Sequence, residues 1–222
     1  MKLKNLKRNN LILFACLMIF ILFYPMFLDK RPFVRDLIFT SIIFSGIFSL
    51  DFSQKALKIL LPLGTVTTSL IWIEYIFKGE LLELLTFIPT FGFIVLIVIF
   101  LIRHIAKNQN VDTTIIMSSI NGYLLLGVLG STLLAISDIV QETILKRDTP
   151  AILFGGGHAN GFHDYLYFSF VTLTTLGYGD IIPSSAFAKS LTMIISISGQ
   201  LYITILIAML VGKFLNNRGT DR

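Results

Sequence analysis

Hydrophobic and polar positions divide this chain into six apolar stretches joined by short polar segments. The apolar stretches run over residues 11–28, 37–50, 59–77, 84–102, 113–140 and 186–214. All but the second have the length a helix needs to cross a hydrocarbon core of ~30 Å. The second is short, and Arg35 and Asp36 at its start are expected to lengthen it by reaching toward the interface. Polar joints fall at Asp29-Lys30-Arg31-Pro32, at residues 51–58, at Lys78-Gly79-Glu80 and at residues 103–112. Six spans put both termini on one side. The gap between the fifth and sixth stretches has a different character. Residues 141–161 are polar, with Thr149-Pro150, Gly155-Gly156-Gly157 and His158, and read as an exposed loop. Residues 164–174 are then aromatic and apolar, but too short to span.

Composition agrees with the need for lipid. Of 222 residues, 55% are hydrophobic and 14% charged, with a mean hydropathy of +0.81, more apolar surface than a soluble domain can hide. The expected fold class is therefore an all-α integral membrane protein. Lysines and arginines precede residues 11–28, as in a cleaved signal peptide. The apolar run is long, however, and Tyr24-Pro25-Met26-Phe27 offers no small-residue cleavage site, so it reads as a first spanning helix.

Charge refines the picture. With six spans, 11 of the 18 Lys and Arg residues fall on the side of the termini, which predicts a multi-pass protein of the cell membrane with N- and C-termini cytoplasmic. Lys30, Arg31 and Arg35 dissent. The net charge of +5 lies in short joints and termini, suiting membrane lipids as partners and not nucleic acid. Cys16 stands alone, so no intrachain disulfide forms. No His, Cys or carboxylate cluster has catalytic or ligand spacing, so an enzyme is not expected. Residues 84–102 hold no Arg or Lys. Arg103, His104 and Lys107 follow as interfacial anchors, a pattern that does not make a voltage sensor. Glu74, late in the third stretch, is either a functional carboxylate or a locally paired one. Asn121, Gly122, Gly127 and Gly130 predict close packing of the fifth helix on the last, with Asn121 bonding between helices. His158 and His163 read as solvated loop residues.

The chain is organised around Thr172-Leu173-Thr174-Thr175-Leu176-Gly177-Tyr178-Gly179-Asp180. A dehydrated cation of potassium's size needs stacked rings of oxygens in place of its water. A regular strand of L-residues cannot supply them, because alternate carbonyls point away. Gly177 and Gly179 can take positive φ, turning the carbonyls around Tyr178 to one side. The Thr175 hydroxyl would stand at the inner end and Asp180 at the outer mouth. Residues 164–174, as a helix entering from outside and stopping halfway, would aim the negative end of its dipole at a cation.

These nine residues resemble the selectivity filter of potassium channels. Tyr123-Leu124-Leu125-Leu126-Gly127, Tyr167-Phe168-Ser169, Gly179-Asp180-Ile181-Ile182-Pro183 and Gly199-Gln200-Leu201-Tyr202 extend the likeness to the pore module of the bacterial potassium channel family. The resemblance implies six transmembrane helices per subunit plus a re-entrant pore helix and filter loop, in a homotetrameric pore. Residues 1–110 would form an N-terminal four-helix membrane domain, and 111–222 the pore domain. It also implies potassium held by Thr175, Leu176, Gly177, Tyr178 and Gly179, with Tyr167, Val171, Thr174 and Asp180 in support. Gly199, 20 positions after Gly179, matches a gating hinge in the family, with plain helix packing as the alternative. Three departures stand out. Leu176 replaces the commoner valine, but the filter uses its carbonyl. Tyr167 and Phe168 occupy the place of an aromatic pair that is often tryptophan, and Tyr167 is expected to brace the filter through its hydroxyl. No sizeable domain is expected after Phe214, hence no ligand-binding gating ring. No cofactor is implied beyond the transported ion. A secondary cation transporter would show paired broken helices in internal repeats, and one broken segment is visible. A regulatory or non-conducting subunit, and an unidentified regulatory partner, stay open.

Overall fold

The computed structural model describes residues 2–28, 32–49, 54–77, 79–108, 112–146, 149–155 and 161–220. Helix α1, Lys2–Phe23, passes into a π-helical turn at Tyr24–Leu28, where Pro25 removes a backbone donor and the ladder widens. Then follow α2 (Pro32–Phe48), α3 (Gln54–Phe77), α4 (Glu80–Lys107) and α5 (Thr113–Ile139), the last ending in a π turn at Val140–Ile144. Strand β1 (Ile152–Phe154), helix α6 (Phe162–Leu173), strand β2 (Ile181–Pro183) and helix α7 (Ala186–Thr220) complete the chain. Among the described residues, α1, α3, α4, α5 and α7 are long and apolar enough to cross a membrane. Helix α2, with 17 residues, rises only about 25 Å.

Leu13, Leu17, Phe20 and Tyr24 recur at three- and four-residue steps on α1, and all are buried. They meet Ile43 and Ile47 of α2, Leu60 of α3, and Phe93, Ile97 and Leu101 of α4 in one apolar core. The opposite faces stay apolar and exposed, as at Leu11, Ile19, Leu22, Ile59 and Ile88. That is the surface expected of helices facing lipid.

Helix α5 packs against α1, α4, α6 and α7. Its expected approach to the last helix holds in part. A methyl at Gly122 would meet the Tyr202 hydroxyl on α7 at 2.2 Å. Gly127 instead makes room for the Phe170 ring of α6, and Gly130 for Ser169 of α6 and Ile195 of α7. The short helix and the last one both require the small residues. Asn121 does bond between helices, donating to the Asn10 carbonyl of α1 at 2.9 Å.

The segment before α6 departs from an exposed loop. β1 pairs antiparallel with β2, Ile152 opposite Pro183 and Phe154 opposite Ile181, and Ala151 and Ile152 are buried. Pro183 therefore sits at the end of a short two-stranded ribbon, where its missing donor is tolerated. The Ala151 carbonyl accepts from the amides of Ser184 and Ser185 at 2.9 and 3.2 Å. Ser185 Oγ in turn caps α7 by accepting from the Ala188 amide. His158 lies outside the described residues. His163 is not in a loop but in the first turn of α6, 3.3 Å from Asp164.

Candidate functional site

Helix α6 positions the site. Asp164 in its first turn complements the dipole, and Leu166, Phe168, Ser169, Val171 and Leu173 are buried. Three bonds fix its height. Tyr165 donates its hydroxyl proton to Asp138 Oδ2, whose other oxygen accepts from the Ala151 amide at 2.7 Å. Ser169 Oγ donates to the Gly127 carbonyl at 2.7 Å, through the gap that Gly127 and Gly130 leave. The helix ends at Leu173 with its carbonyl end directed toward residues 174–180.

Those residues take an unusual backbone. φ is +60° at Thr175, +56° at Gly177 and +79° at Gly179, while Leu176 and Tyr178 between them keep negative φ. Alternation of this kind sends successive amides to one side and successive carbonyls to the other. The amides turn back. Thr175 N–H donates to the Thr172 carbonyl, and Leu176 and Gly177 N–H both donate to the Val171 carbonyl, at 3.0, 3.0 and 3.3 Å. Among the described residues, no backbone donor of this chain reaches the carbonyls of 175–179. The whole segment is exposed, Leu176 by 60% and Tyr178 by 68%. A lone chain thus presents a row of free carbonyls with nothing opposite.

The expected glycine conformations are present at Gly177 and Gly179. The third positive φ, at Thr175, goes beyond that expectation. A β-branched residue in this region is strained by about 1–3 kcal/mol. No composition rule singles it out, but it continues the every-second-residue alternation by one step. Gln200 Nε2 of α7 reaches the Thr175 hydroxyl at 3.4 Å. At the other end, Tyr167 donates its hydroxyl to Asp180 Oδ2 at 2.7 Å. The carboxylate holds the phenol proton and raises the ionisation of Tyr167 above its ordinary value.

Val171 meets the segment through its carbonyl, and Thr174 turns its hydroxyl back to the Phe170 carbonyl at 2.7 Å. Gly199 lies at the base of the site. A methyl there would stand 2.2 Å from the Leu173 carbonyl, and α7 runs past it without interruption. Asp138, Ser169, Gln200 and β1 escaped sequence reasoning. Asp138 left a signal: it is the sole carboxylate among residues 113–140, and an ionisable group in such a run calls for a partner.

A chain that displays free carbonyls at the end of a half-length helix invites comparison with pores. Residues 128–216 match the family model described as "Ion channel". The match takes in α6, the alternating segment and most of α7. "Two-pore potassium channel 4" of Arabidopsis thaliana is 40% identical over 63 residues, 28% of this chain and 22% of the relative. "Potassium channel K2" of Plasmodium berghei (strain Anka) is 33% identical over 104 residues, 44% of this chain and 7% of the relative. The chain therefore matches less than a quarter of either relative's length. No solved structure matches it at comparable significance. Together these findings liken residues 128–216 to ion channels, and parts of the chain to potassium channels, in a multi-pass membrane protein with five helices long and apolar enough to cross among the described residues.

Proposed function

We propose that four copies of this chain assemble into a passive, potassium-selective pore of the bacterial type, with residues 175–179 of each copy lining its axis. One observation carries the reading: positive φ at 175, 177 and 179, with the amides tied back to α6 and the carbonyls left free. Rings of such carbonyls replace the hydration shell of a potassium ion. One filter segment per chain cannot surround an ion, so closed rotational symmetry completes the ring. Carbonyls from Thr175 to Gly179 and the Thr175 hydroxyl then bind the ion. Val171 and Thr174 hold the inner end of the segment, and the Tyr167–Asp180 bond the outer end.

In this reading α2 also spans, although Asp36 is buried against Arg35 and does not reach toward the interface as expected, and six spans leave both termini cytoplasmic. Residues 1–110 form a four-helix membrane domain beside the 111–222 pore domain. Helix α4 carries its basic side chains only beyond the apolar run, at Arg103, His104 and Lys107. One charge crossing the full field contributes about 2.3 kcal/mol per 100 mV, so gating depends weakly on voltage. Gly199, the hinge position by resemblance, packs closely on the Leu173 carbonyl, and that contact favours the packing role.

Purified chain in potassium-loaded liposomes tests the proposal. Flux with a potassium-selective reversal potential under bi-ionic conditions supports it. Equal permeability to sodium would sink the selective reading, and no flux from a well-formed tetramer would leave the non-conducting subunit as the better one.

A further inference from the structure

The N-terminal helices enclose a cavity of about 210 Å³ that has no part in the pore reading. It lies where the outward ends of α1 to α4 meet the first turn of α6. Aromatic rings form much of the wall: Phe20 from α1, Tyr24 from the π turn after it, Phe39 from α2, Phe87 from α4 and Phe162 from α6. Phe87 and Phe162 stack at 5.8 Å between centroids, and Tyr24 meets Phe162 edge-on at 5.9 Å. Into this aromatic cup come two carboxylates, Asp36 and Glu74, and one guanidinium, Arg35. Asp36 is only 3% exposed. Its Oδ1 pairs with Arg35 Nε at 2.6 Å, but among the described residues its buried Oδ2 has no partner. Glu74 is half-buried in the cavity wall, near Thr86, whose hydroxyl donates to the Leu82 carbonyl.

A buried carboxylate oxygen without a donor costs about 1–3 kcal/mol or more. Two acids face one base in the cavity, and the faces of aromatic rings add to its attraction for a cation. The volume falls below the ~300–1,000 Å³ of drug-sized pockets, so the occupant is small. Apolar rings around one acidic corner favour a monovalent organic cation with an apolar body over a hydrated metal ion. We infer that this cavity is a binding site for a small organic ammonium ion, whose N–H groups donate to Asp36 Oδ2 and Glu74 while its apolar body lies among Phe20, Phe87 and Phe162. Because Phe162 is the first residue of α6, occupancy would bear directly on the helix that positions residues 174–180.

Binding is measured on the full-length protein in detergent by equilibrium dialysis, without reference to ion flux, so its outcome is independent of the pore proposal. The probes are phenethylammonium, its neutral isostere 2-phenylethanol and the anion 3-phenylpropanoate. Saturable binding of the ammonium alone is expected, weakened about tenfold or more in Asp36→Asn and in Glu74→Gln. Equal uptake of the alcohol would indicate apolar partitioning and overturn the assignment. Preferential binding of the anion would give the site to Arg35 and overturn it too, as would ammonium binding unchanged in both variants. If Asp36→Asn fails to assemble, Glu74→Gln decides.

Discussion

The two halves of this molecule are held together in different ways. In α5 to α7, side chains bond across elements far apart in sequence: Tyr165 to Asp138, Ser169 to Gly127, Tyr202 to Ser119 and Ser184 to Pro150. In α2 to α4, the hydroxyls of Thr40, Ser41, Ser45, Thr65, Thr67, Ser69, Thr86 and Thr90 all bond within their own helix, three or four residues back. Asn9 and Asn10 of α1 reach the end of α2, donating to the Phe48 and Ser49 carbonyls. Hydrogen bonds are directional and set a register to fractions of an ångström, whereas apolar packing constrains area and volume. A backbone that must present carbonyls at fixed positions needs the first kind of support. Four helices around an apolar core can do with the second.

The largest effect should come from the backbone that the bonded half supports. Gly177 has φ +56°, and a methyl group added there would meet nothing within 4 Å, so Gly177→Ala introduces conformational cost without a clash. That cost, about 1–2 kcal/mol per copy, recurs in every subunit of the proposed ring. Potassium flux or its selectivity over sodium should be lost while the protein still assembles. Wild-type selectivity in this variant would remove the filter assignment.

Asp138→Ala comes next. It leaves the Ala151 amide and the Tyr165 hydroxyl without their acceptor, at about 1–3 kcal/mol for each orphaned group. Thermal unfolding should show a loss of several kcal/mol, and β1 should exchange its amide protons faster. An unshifted transition would mean that β1 and α6 keep their places without the carboxylate, and the contrast between the halves would weaken.

Gly199→Ala separates two accounts of one residue. A hinge alone predicts altered gating with ion preference intact. The methyl would instead meet the Leu173 carbonyl at 2.2 Å, and backbone cannot step aside as a side chain can. An overpacking cost of about 1–3 kcal/mol at the end of α6 is expected, with selectivity falling alongside flux. Intact selectivity with changed gating would return Gly199 to the hinge role.

The same contrast explains what could be read from sequence. Five of the six expected spans were legible because lipid demands long apolar runs, and the backbone of residues 174–180 because Gly177 and Gly179 admit the positive φ closed to most other residues. The supports were not legible, since a hydrogen bond such as Ser169 to Gly127 joins residues 42 apart, and Gly127 signalled close packing without naming its partner. Strand β1 was hidden for a related reason: its three residues pair with β2, just beyond the alternating segment, only once α6 has brought the two together. Thr175 shows the limit at the site itself. Its positive φ follows from its neighbours' alternation and not from its own preference, which opposes it.

In the loosely bonded half, Asn10→Leu should cost little. Asn10 donates to the Ser49 carbonyl at 2.7 Å and accepts from Ser118 and Asn121 of α5. Polar bonds between membrane helices average about 0.6 kcal/mol, so a loss of about 1 kcal/mol in unfolding is expected, with ion selectivity unchanged. A loss as large as that of Asp138→Ala would mean that directional bonding governs both halves alike.

The smallest effect concerns a link between the halves. Lys213, near the end of α7, donates to the carbonyls of Ile105, Ala106 and Asn108 at 2.5, 3.1 and 2.6 Å. These are the last carbonyls of α4 and its cap, where a cation is favoured by the helix dipole by about 0.3–1 kcal/mol. Elsewhere α7 rests on α5 and α6, through Tyr202 and the closely packed glycines, so this ammonium ties the lower end of α7 to the N-terminal helices. Lys213→Met keeps the apolar stem and removes the donors. Global stability should barely move, because an exposed cap contributes little to the cooperative unit. Local opening should respond instead: amides in the last turns of α7 before residue 213 should exchange about two- to five-fold faster, the equivalent of ~0.3–1 kcal/mol. Glu80→Gln, at the opposite end of α4, serves as the control and should leave those amides unchanged. If exchange in α7 is the same in Lys213→Met and wild type, the end of α7 is held by α5 and α6 alone, and the two halves are joined through the α1 and α4 faces of α5 and through Phe162 of α6, which packs on Phe20 and Phe87.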